Sequence, residues 1–369
     1  MIYFDNAATS FPKSGRVVKA VASSVRRCGN PGRSGHAPSM RAADIMFACR
    51  EKAACVFGTD PERVIITPSC TLALNMAIKG FINGGRVLIS NLEHNAVCRP
   101  LYALRDAGVI ELDVFDALSR DVQGEFARKV KGASAAVFTH GSNVCGRLLP
   151  LFCLVREAKK RGVFTVVDAA QSAGYVGVSL EESGADVICC AGHKGPGGPM
   201  GIGLMLVNRA CRALPRTLIE GGTGVYSRDE VMPAFYPERL EAGTPCVPAA
   251  AGLSAALDEF ECGFDLGPFE LLKNELRSMR GVTLYGVFPP SQSLPVLLFN
   301  VDGMDCDAVM NRLARRGICV RSGFHCAPLA HKALGTVSGG VRVSLGKRNT
   351  VREVKRFCVE LQRLIREPR

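Results

Sequence analysis

Two ionisable side chains stand at the ends of two apolar runs in the middle of the chain. The run VFTVVDAA stops at Asp168, and the run DVICCAG stops just before His193 and Lys194. Unbroken apolar runs of this kind are typical of strands that are buried on both faces of a sheet. Ligands of open α/β sheets bind beyond the carboxyl ends of such strands. The spacing therefore predicts that Asp168 and Lys194 face one binding site.

This pair of side chains suits pyridoxal phosphate (PLP), a cofactor that forms a Schiff base with a lysine amine. PLP also needs a carboxylate that keeps its ring nitrogen protonated. A glycine-rich turn, GPGGPMGIG, follows Lys194 and indicates that the backbone approaches another group closely there. Taken alone, each residue has an ordinary alternative: a helix cap for Asp168 and a solvated turn lysine for Lys194.

The composition excludes several classes of protein. With 369 residues, 47% of them hydrophobic, the chain is long enough for a large core and for two domains. No apolar run is long enough to span a membrane, and the start, MIYFDNAATS, lacks the features of a secretory signal. The 16 cysteines contain no CxxC pair, which argues against a zinc ribbon and against a disulfide framework. We therefore expect a cytoplasmic protein with no bound metal and no membrane partner.

The net charge of +12 raises the question of nucleic-acid binding. Much of the excess lies near the end, in VRVSLGKRNTVREVKRF and LIREPR, where a solvated helix face explains it. Aromatic residues make up 7% of the chain, Trp is absent, and no nucleic-acid-binding module is recognisable. We expect no nucleic-acid partner, and the positive field would instead attract a phosphate cofactor and amino-acid carboxylates.

The order of the predicted elements indicates two domains. Strands first alternate with helices, which predicts an α/β domain with a mostly parallel sheet and helices on both faces. The pattern dissolves from Gly221 to Pro248, and a long irregular stretch of this kind is usually functional or at an interface. The strands and helices from SLPVLLFNVDG to the closing helix after Thr350 then predict a small α+β domain. We expect a large domain of residues 15–248 and a small domain formed by residues 1–14 and 249–369.

Three further stretches carry candidate site residues. Cys70 and Thr71 stand where a helix begins after the strand VIIT, and free N–H groups there suit a phosphate, although an ordinary N-cap is the alternative. Arg342 opens the strand VRVSLG and could clamp a carboxylate in a bidentate contact, although any surface arginine would look the same. Cys326, beside His325, has the surroundings of a nucleophile, but buried filler is the alternative in so cysteine-rich a chain.

Several of these motifs resemble those of one protein family. DAAQ, AGHK and the glycine-rich turn resemble the cofactor segment of the cysteine desulfurases, which belong to the class V aminotransferases. RSGFHCAPL, followed by the strand with Arg342, resembles the subgroup that includes the SufS-type desulfurases and the selenocysteine lyases. The likeness runs from FDNAATS to GKRNT, which is almost the whole chain. It implies PLP-dependent transferase fold type I, with a mostly parallel, seven-stranded sheet in the large domain and a small α+β C-terminal domain.

The resemblance also implies a role for each matching residue. The implied cofactor contacts are Lys194 as the Schiff-base lysine, Asp168 at the ring nitrogen, Gln171 at the ring hydroxyl, His94 stacked on the ring, Asn143 at a ring oxygen, Cys70 and Thr71 at the phosphate, His193 beside the phosphate or the Schiff base, and Thr244 at the phosphate of the neighbouring subunit. For the substrate, the resemblance implies Arg342 and Asn143 as carboxylate contacts. Lys194, His94 and Cys326, the persulfide carrier, are the implied catalytic residues. The chain departs from its relatives at Pro68-Ser69-Cys70, where they often carry Gly and Thr, and at Ala191-Gly192, where some carry a phosphate-binding serine.

The implied reaction converts L-cysteine to L-alanine and holds the sulfur as a persulfide on Cys326, for the supply of Fe–S clusters or thio-cofactors. Thr244 implies a homodimer, and the persulfide implies a sulfur-acceptor protein.

Three alternatives remain open. A selenocysteine lyase, a cysteine sulfinate desulfinase or another C–S lyase would use the same cofactor and site residues and differ in the substrate that yields alanine. An aminotransferase has no evident need for Cys326, and a stable pyridoxamine form would reveal it. A non-catalytic scaffold or sulfur-transfer adaptor would be colourless, because it would hold no Schiff base.

Overall fold

The computed structural model describes residues 1–32 and 34–367. Within these ranges the strands are β1 (Ile2–Tyr3), β2 (Val64–Thr67), β3 (Arg86–Ser90), β4 (Glu111–Phe115), β5 (Ala135–Thr139), β6 (Phe164–Asp168), β7 (Val187–Ala191), β8 (Gly203–Val207), β9 (Val282–Tyr285), β10 (Val296–Val301), β11 (Ile318–Cys319), β12 (Arg321–Gly323) and β13 (Gly340–Ser344). The α-helices are α1 (Gly15–Arg27), α2 (Ala37–Phe57), α3 (Cys70–Phe81), α4 (Asn95–Asp106), α5 (Val122–Lys129), α6 (Leu151–Lys159), α7 (Leu180–Ser183), α8 (Val247–Leu257), α9 (Leu266–Ser278), α10 (Cys306–Arg315), α11 (Pro328–Ala333) and α12 (Val351–Arg366).

Seven strands form the larger sheet, in the order β2-β8-β7-β6-β5-β3-β4. The pairs from β7 across to β4 are all parallel, whereas β8 runs antiparallel to both of its neighbours, β7 and β2. Both faces of the sheet are covered: Leu88 of β3 belongs to one hydrophobic core, and its neighbours Val87 and Ile89 belong to another. This burial on two sides explains the unbroken apolar runs of the sequence. The predicted α/β class and mostly parallel seven-stranded sheet are confirmed.

A smaller antiparallel sheet has the strand order β12-β13-β10-β9. Apolar residues of α9, α10 and α12 share one core with β10 and β13. α12 begins with a capping box, in which the Thr350 side chain accepts from the Glu353 backbone and the Glu353 side chain accepts from the Thr350 backbone. The capping box explains why the predicted closing helix, α12, starts directly after Thr350.

The N-terminal segment packs against the smaller sheet, whereas α8, which begins near the predicted domain boundary, packs against the larger one. β1 pairs in parallel with β11, and Phe4 lies in the core of the smaller sheet, with its ring centroid 5.6 Å from that of Phe357. α8 packs against α1 and α2, and its residues Leu253 and Leu257 belong to a core of the larger sheet. The residue ranges of the two domains stay a prediction.

Residues 208–246 contain neither helix nor strand, so the irregular stretch expected from the sequence begins earlier than predicted and ends at α8. Glu241 anchors this segment, since it accepts a hydrogen bond from the Ile66 N–H at 2.6 Å and pairs with the Arg50 guanidinium at 2.6 Å. Among residues 1–32 and 34–367, no helix combines the length and the apolar character needed to cross a membrane.

Candidate active site

Asp168 is the last residue of β6 and lies at the carboxyl edge of the parallel strands. It is buried, and its Oδ1 accepts a hydrogen bond from the Ala170 N–H at 2.9 Å. The Cys70 Sγ, at the first residue of α3, lies 3.9 Å from the same oxygen. Burial, followed by the charge of Asp168, raises the pKa of the Cys70 thiol well above its usual value, so the thiol is the donor in this contact. Asp168 and the start of α3, both predicted cofactor contacts, therefore lie together.

Lys194 lies in the turn that follows β7. Its carbonyl oxygen accepts a hydrogen bond from the Gly197 N–H at 2.9 Å, which closes the turn. Burial lowers the pKa of the Lys194 amine, and the nearby Asp168 carboxylate opposes this shift. An amine with a lowered pKa is a better nucleophile and a better base near neutral pH. The structure thus brings the predicted pair into one electrostatic environment.

Close backbone contacts explain the glycines that follow the two strands. A Cβ atom on Gly195 would lie 2.0 Å from the carbonyl oxygen of Ala173, and one on Gly174 would lie 2.4 Å from the carbonyl carbon of Gly195. Gly174 also has a φ of 90°, which favours glycine. A Cβ atom on Gly203 of β8 would lie 2.4 Å from the nitrogen of Cys70. The glycines therefore let the turns after β6 and β7, and the start of α3, pack directly against neighbouring backbone.

His94 is the N-cap of α4, and its Nδ1 accepts a hydrogen bond from the Ala96 N–H at 3.0 Å. Since Nδ1 is the acceptor, the proton of the neutral ring is on Nε2. Burial lowers the pKa of His94, and the nearby charges of Asp168 and Lys194 act on it in opposite directions. A neutral ring close to both residues is compatible with the predicted stacking on a cofactor ring.

Gln171 and His193 both bond to the N-terminal segment of the chain. Gln171 donates from Nε2 to the carbonyl oxygen of Ala7 at 2.9 Å, and the His193 Nδ1 lies 3.1 Å from the Thr9 Oγ1. Burial, with the nearby charge of Lys194 as a further cause, lowers the pKa of His193 to about 4. The ring is therefore neutral near pH 7. These contacts with the first ten residues did not follow from the sequence pattern.

Two arginines share one carboxylate on the smaller sheet. Arg342 of β13 is almost completely buried, and it donates to the Asp5 Oδ1 at 2.8 Å and to the carbonyl oxygen of Asn143 at 3.0 Å. Arg321 of β12 faces Arg342 across the strand pair and donates from Nε to the Asp5 Oδ2 at 3.1 Å. The Nε of Arg342 is buried and has no hydrogen-bond partner among the described residues. Two cations and one anion leave a net positive charge, which suits a substrate carboxylate.

Cys326 lies in the loop between β12 and α11 and is exposed. His325 and Cys326 both adopt left-handed backbone angles, with φ of 50° and 54°. Two carbonyl oxygens connect this loop to the larger sheet: that of Cys326 accepts from the Asn95 N–H at 2.7 Å, and that of His325 accepts from the Asn143 Nδ2 at 2.7 Å. Because Asn95 directly follows His94, the loop with the predicted nucleophile borders the site of Asp168 and Lys194.

Thr71 and Thr244, the two predicted phosphate-binding threonines, are both exposed. The N-cap of α3 is Ser69, whose hydroxyl accepts from the Leu72 N–H at 3.2 Å, so the ordinary cap does not use the Thr71 hydroxyl. Thr244 lines a cavity of about 210 Å³ together with Pro68, which precedes α3. No hydrogen bond within residues 1–32 and 34–367 joins Thr244 to another predicted site residue.

The residues that sequence reasoning missed are Asp5 and Asn95. Asp5 ends an apolar run of the sequence, as Asp168 does, and this shared signal could have identified it. Asn95 acts through its backbone N–H, which has no signature in the sequence. Both bond to residues more than 200 positions away, since Asp5 pairs with Arg342 and Asn95 with Cys326.

These side chains fit PLP. Lys194 offers an amine with a lowered pKa, and Asp168 offers a buried carboxylate within the same electrostatic environment. The first turn of α3 offers backbone N–H groups and the exposed Thr71 hydroxyl to a phosphate. Arg342 and the half-exposed Arg321, which share the single carboxylate of Asp5, offer net positive charge to a substrate anion. A Schiff-base amine, an acid for a ring nitrogen and an anion site are the three groups that this cofactor requires.

Comparison with known proteins gives one consistent family. The family described as Aminotransferase class-V matches residues 2–357. A probable cysteine desulfurase from Pyrococcus abyssi is 30% identical over 100% of this chain and 95% of its own length, and one from Pseudomonas aeruginosa is 32% identical over 98% and 93%. The structure is similar to the apo cysteine desulfurase of Thermococcus onnurineus, with a TM-score of 0.89, 30% identity and coverage of 99% of this chain and 94% of that one. These matches confirm the resemblance seen in the sequence motifs. The chain belongs to the class-V aminotransferases, whose members depend on PLP, and within them to the cysteine desulfurase family.

Proposed function

We propose that this chain converts L-cysteine to L-alanine and carries the removed sulfur as a persulfide on Cys326. The observation that carries the proposal is the contact of the Cys326 loop with the larger sheet, through the Asn95 N–H and the Asn143 side chain. An exposed thiol in a loop that bonds to Asn95, the neighbour of His94, serves desulfuration, whereas transamination needs no thiol. The names of the related proteins support the same reaction.

Bound PLP supplies an electron sink for the substrate carbon atoms. The Lys194 amine, whose pKa is lowered by burial, is suited to take the proton from the substrate Cα and to return one later. The buried Asp168 carboxylate would hold a proton on the ring nitrogen of the cofactor, and its burial would strengthen that contact. The Nε2–H of His94 is available to hold or donate a proton, because its Nδ1 is already an acceptor.

The two arginines and Asn143 bind and orient the substrate. Arg342, with Arg321 beside it, presents the net positive charge left over from the contact with Asp5. The α-carboxylate of cysteine neutralises that charge, and Asn143 is bonded to the backbone on one side and to Arg342 on the other. A carboxylate fixed in this way would orient the substrate for reaction at bound PLP.

Sulfur transfer to Cys326 requires no outside oxidant or reductant. The Cys326 thiolate attacks the substrate sulfur, an S–S bond forms, and the C–S bond breaks. The electron pair of the broken bond stays with carbon, which takes up a proton and becomes the methyl group of alanine. Cysteine and the enzyme thiol thus give alanine and the enzyme persulfide. The exposure of Cys326 supports transfer of the outer sulfur to an acceptor protein.

We also propose a homodimer in which Thr244 contacts the phosphate in the neighbouring subunit. Its exposure in a segment without helix or strand supports this arrangement. All 16 cysteines are free, which suits the reducing environment of the cytoplasm.

The test is product analysis with cysteine, selenocysteine and cysteine sulfinate, each with and without a thiol reductant. We expect alanine from cysteine and, after brief exposure without reductant, one additional sulfur on Cys326 by mass spectrometry of peptides. If only selenocysteine or only cysteine sulfinate yields alanine, the chain is a selenocysteine lyase or a sulfinate desulfinase, respectively. A pyridoxamine product would identify an aminotransferase, and a colourless protein would identify a non-catalytic role.

A further inference from the structure

Four donors converge on the carbonyl oxygen of His193, the residue before the proposed Schiff-base lysine. The Ser10 N–H, the Ser10 hydroxyl and the Thr9 hydroxyl each lie 3.1 Å from this oxygen, and the Lys13 ammonium lies 2.7 Å from it. A carbonyl oxygen has two lone pairs, so four donors are more than it can accept at full strength, and the nearest of them is the Lys13 cation.

Lys13 is bonded to neutral oxygens only. Besides the His193 oxygen, its Nζ lies 2.7 Å from the Ser10 Oγ and 3.5 Å from the Thr9 Oγ1, and it forms no ion pair among the residues that the structure describes. Burial lowers the pKa of Lys13 to about 8. A partly buried cation without a counter-ion is unfavourable, and a neutral donor could have satisfied the same oxygen. This cost indicates that the Lys13 charge has a function besides packing.

The His193 oxygen is placed to act on Lys194. It belongs to the peptide unit that includes the Lys194 nitrogen, and the planarity of that unit means that fixing the oxygen fixes the backbone orientation of Lys194. The N–H of Lys194 makes only a long contact, of 3.4 Å, with the carbonyl oxygen of Ala191. The Lys13 contact, at 2.7 Å, is the shorter anchor of this peptide unit.

The segment that carries Lys13 also contacts two other predicted site residues. Asp5 pairs with Arg342, and the carbonyl oxygen of Ala7 accepts from Gln171. One short stretch of chain thus connects the substrate-carboxylate site on the smaller sheet with the lysine turn of the larger sheet. We propose that Lys13 is a positioning residue for Lys194, acting through the His193 carbonyl. The inference rests on the proposed function only in taking Lys194 as the lysine that holds the cofactor.

The test compares Lys13→Met with Lys13→Arg and with Lys347→Met as the matched control. Lys347 lines the same cavity of about 150 Å³, and its Nζ bonds to the carbonyl oxygen of Glu261. The other charged residues of this cavity, Lys194, Arg348 and Glu259, are unchanged in every variant. Cofactor content and Tm are measured first, and then two readouts follow: the pH titration of the absorbance of the bound cofactor, and the separate values of kcat and KM.

We expect Lys13→Met to shift the midpoint of the absorbance titration, because the peptide unit of Lys194 loses its shortest anchor and the amine changes its position relative to Asp168. We expect kcat to fall about tenfold, because a displaced reactive group loses rate steeply, while KM for cysteine changes less than about twofold. Lys13→Arg, which keeps the charge, should recover most of both values. Lys347→Met should behave like the wild type.

A wild-type titration and kcat in Lys13→Met would overturn the inference, and so would an equal change in Lys347→Met. If Lys13→Met fails to fold or to hold the cofactor, Ser10→Ala decides, because it removes one donor from the same oxygen. It should shift the titration in the same direction by a smaller amount, and an unchanged midpoint would reject the role. If the wild type releases no alanine from cysteine, the proposed function fails, but the titration still tests Lys13, since it requires only the cofactor on Lys194.

Discussion

The two side chains proposed to react, those of Lys194 and Cys326, are held in different ways. Lys194 follows a fully buried strand, and the glycine beside it lies so close to backbone that an added Cβ would meet an oxygen at 2.0 Å. Cys326 is exposed in a loop between a short strand and a short helix, at a backbone angle that L-residues rarely adopt. Close backbone packing and hydrogen bonds from the N-terminal segment hold the lysine turn, whereas the thiol loop is held across the two sheets by two individual hydrogen bonds.

The difference follows from what each group has to do in the proposed reaction. The lysine returns to one position in every cycle, and close packing provides that position. The thiol meets substrate on the inner side and a sulfur acceptor on the outer side, so it cannot be enclosed. Its left-handed pair, His325 and Cys326, costs on the order of 1–3 kcal/mol per residue. The contacts from Asn95 and Asn143 offset this cost, and they do so from the opposite sheet.

The largest expected effect is that of replacing Lys194, which lies in the closely packed turn. Lys194→Ala should lower turnover by about 10³-fold or more, because both the covalent attachment of PLP and proton transfer at Cα depend on this amine. Borohydride reduction followed by peptide mapping should place the cofactor on Lys194 in the wild type. Lys332→Ala, an exposed lysine near the thiol loop, is the control and should keep full activity. Cofactor on any other lysine would contradict the assignment.

Cys326→Ala should abolish sulfur transfer by the thiol loop and leave cofactor binding at the lysine turn unchanged. The variant should bind PLP and cysteine as the wild type does, because Lys194 and Arg342 are untouched, but it should release no alanine from cysteine. Selenium leaves carbon more easily than sulfur does, so much of any activity on selenocysteine should remain. Cys55→Ala, which removes another exposed thiol, is the control. Continued desulfuration of cysteine by the Cys326 variant would reject the persulfide assignment.

Arg342→Ala should mainly weaken substrate binding. A charge-assisted contact from a buried guanidinium is worth about 2–3 kcal/mol, which corresponds to a rise in KM of roughly 30- to 150-fold. Arg321→Ala should have a smaller effect, because Arg321 is half-exposed and its contact with Asp5 is screened by solvent. Steady-state kinetics with cysteine measures both. If Arg321→Ala raises KM more than Arg342→Ala does, the carboxylate clamp is Arg321.

The same contrast explains how much could be predicted from the sequence. Asp168 and Lys194 were recognisable because each follows its own buried strand, and parallel strands end at one edge. The position of Cys326 against Asn95 and that of Arg342 against Asp5 depend on how two separate sheets pack, which no local pattern encodes. The motif resemblance named Cys326 and Arg342 but gave no partner for either. The conformation of residues 208–246 was also beyond prediction, since no periodic pattern constrains it.

The smallest expected effect tests how the thiol loop is held within its own sheet. His331 is buried, its Nε2 lies 3.2 Å from the His325 Nδ1, and its Nδ1 lies 2.8 Å from the Thr336 Oγ1. Burial lowers the pKa of His325 to about 3, so near pH 7 the hydrogen bond joins a neutral His325 ring to its neighbour. Losing one such bond is worth about 1 kcal/mol, and His331→Asn should therefore slow alanine formation roughly fivefold.

The absorbance of the bound cofactor and its borohydride labelling should stay as in the wild type, because the lysine turn does not depend on the loop. His140→Asn, which alters another buried histidine, directly after β5, is the control. An equal loss of rate in that control, or a changed cofactor absorbance in His331→Asn, would show that the two regions are not held independently.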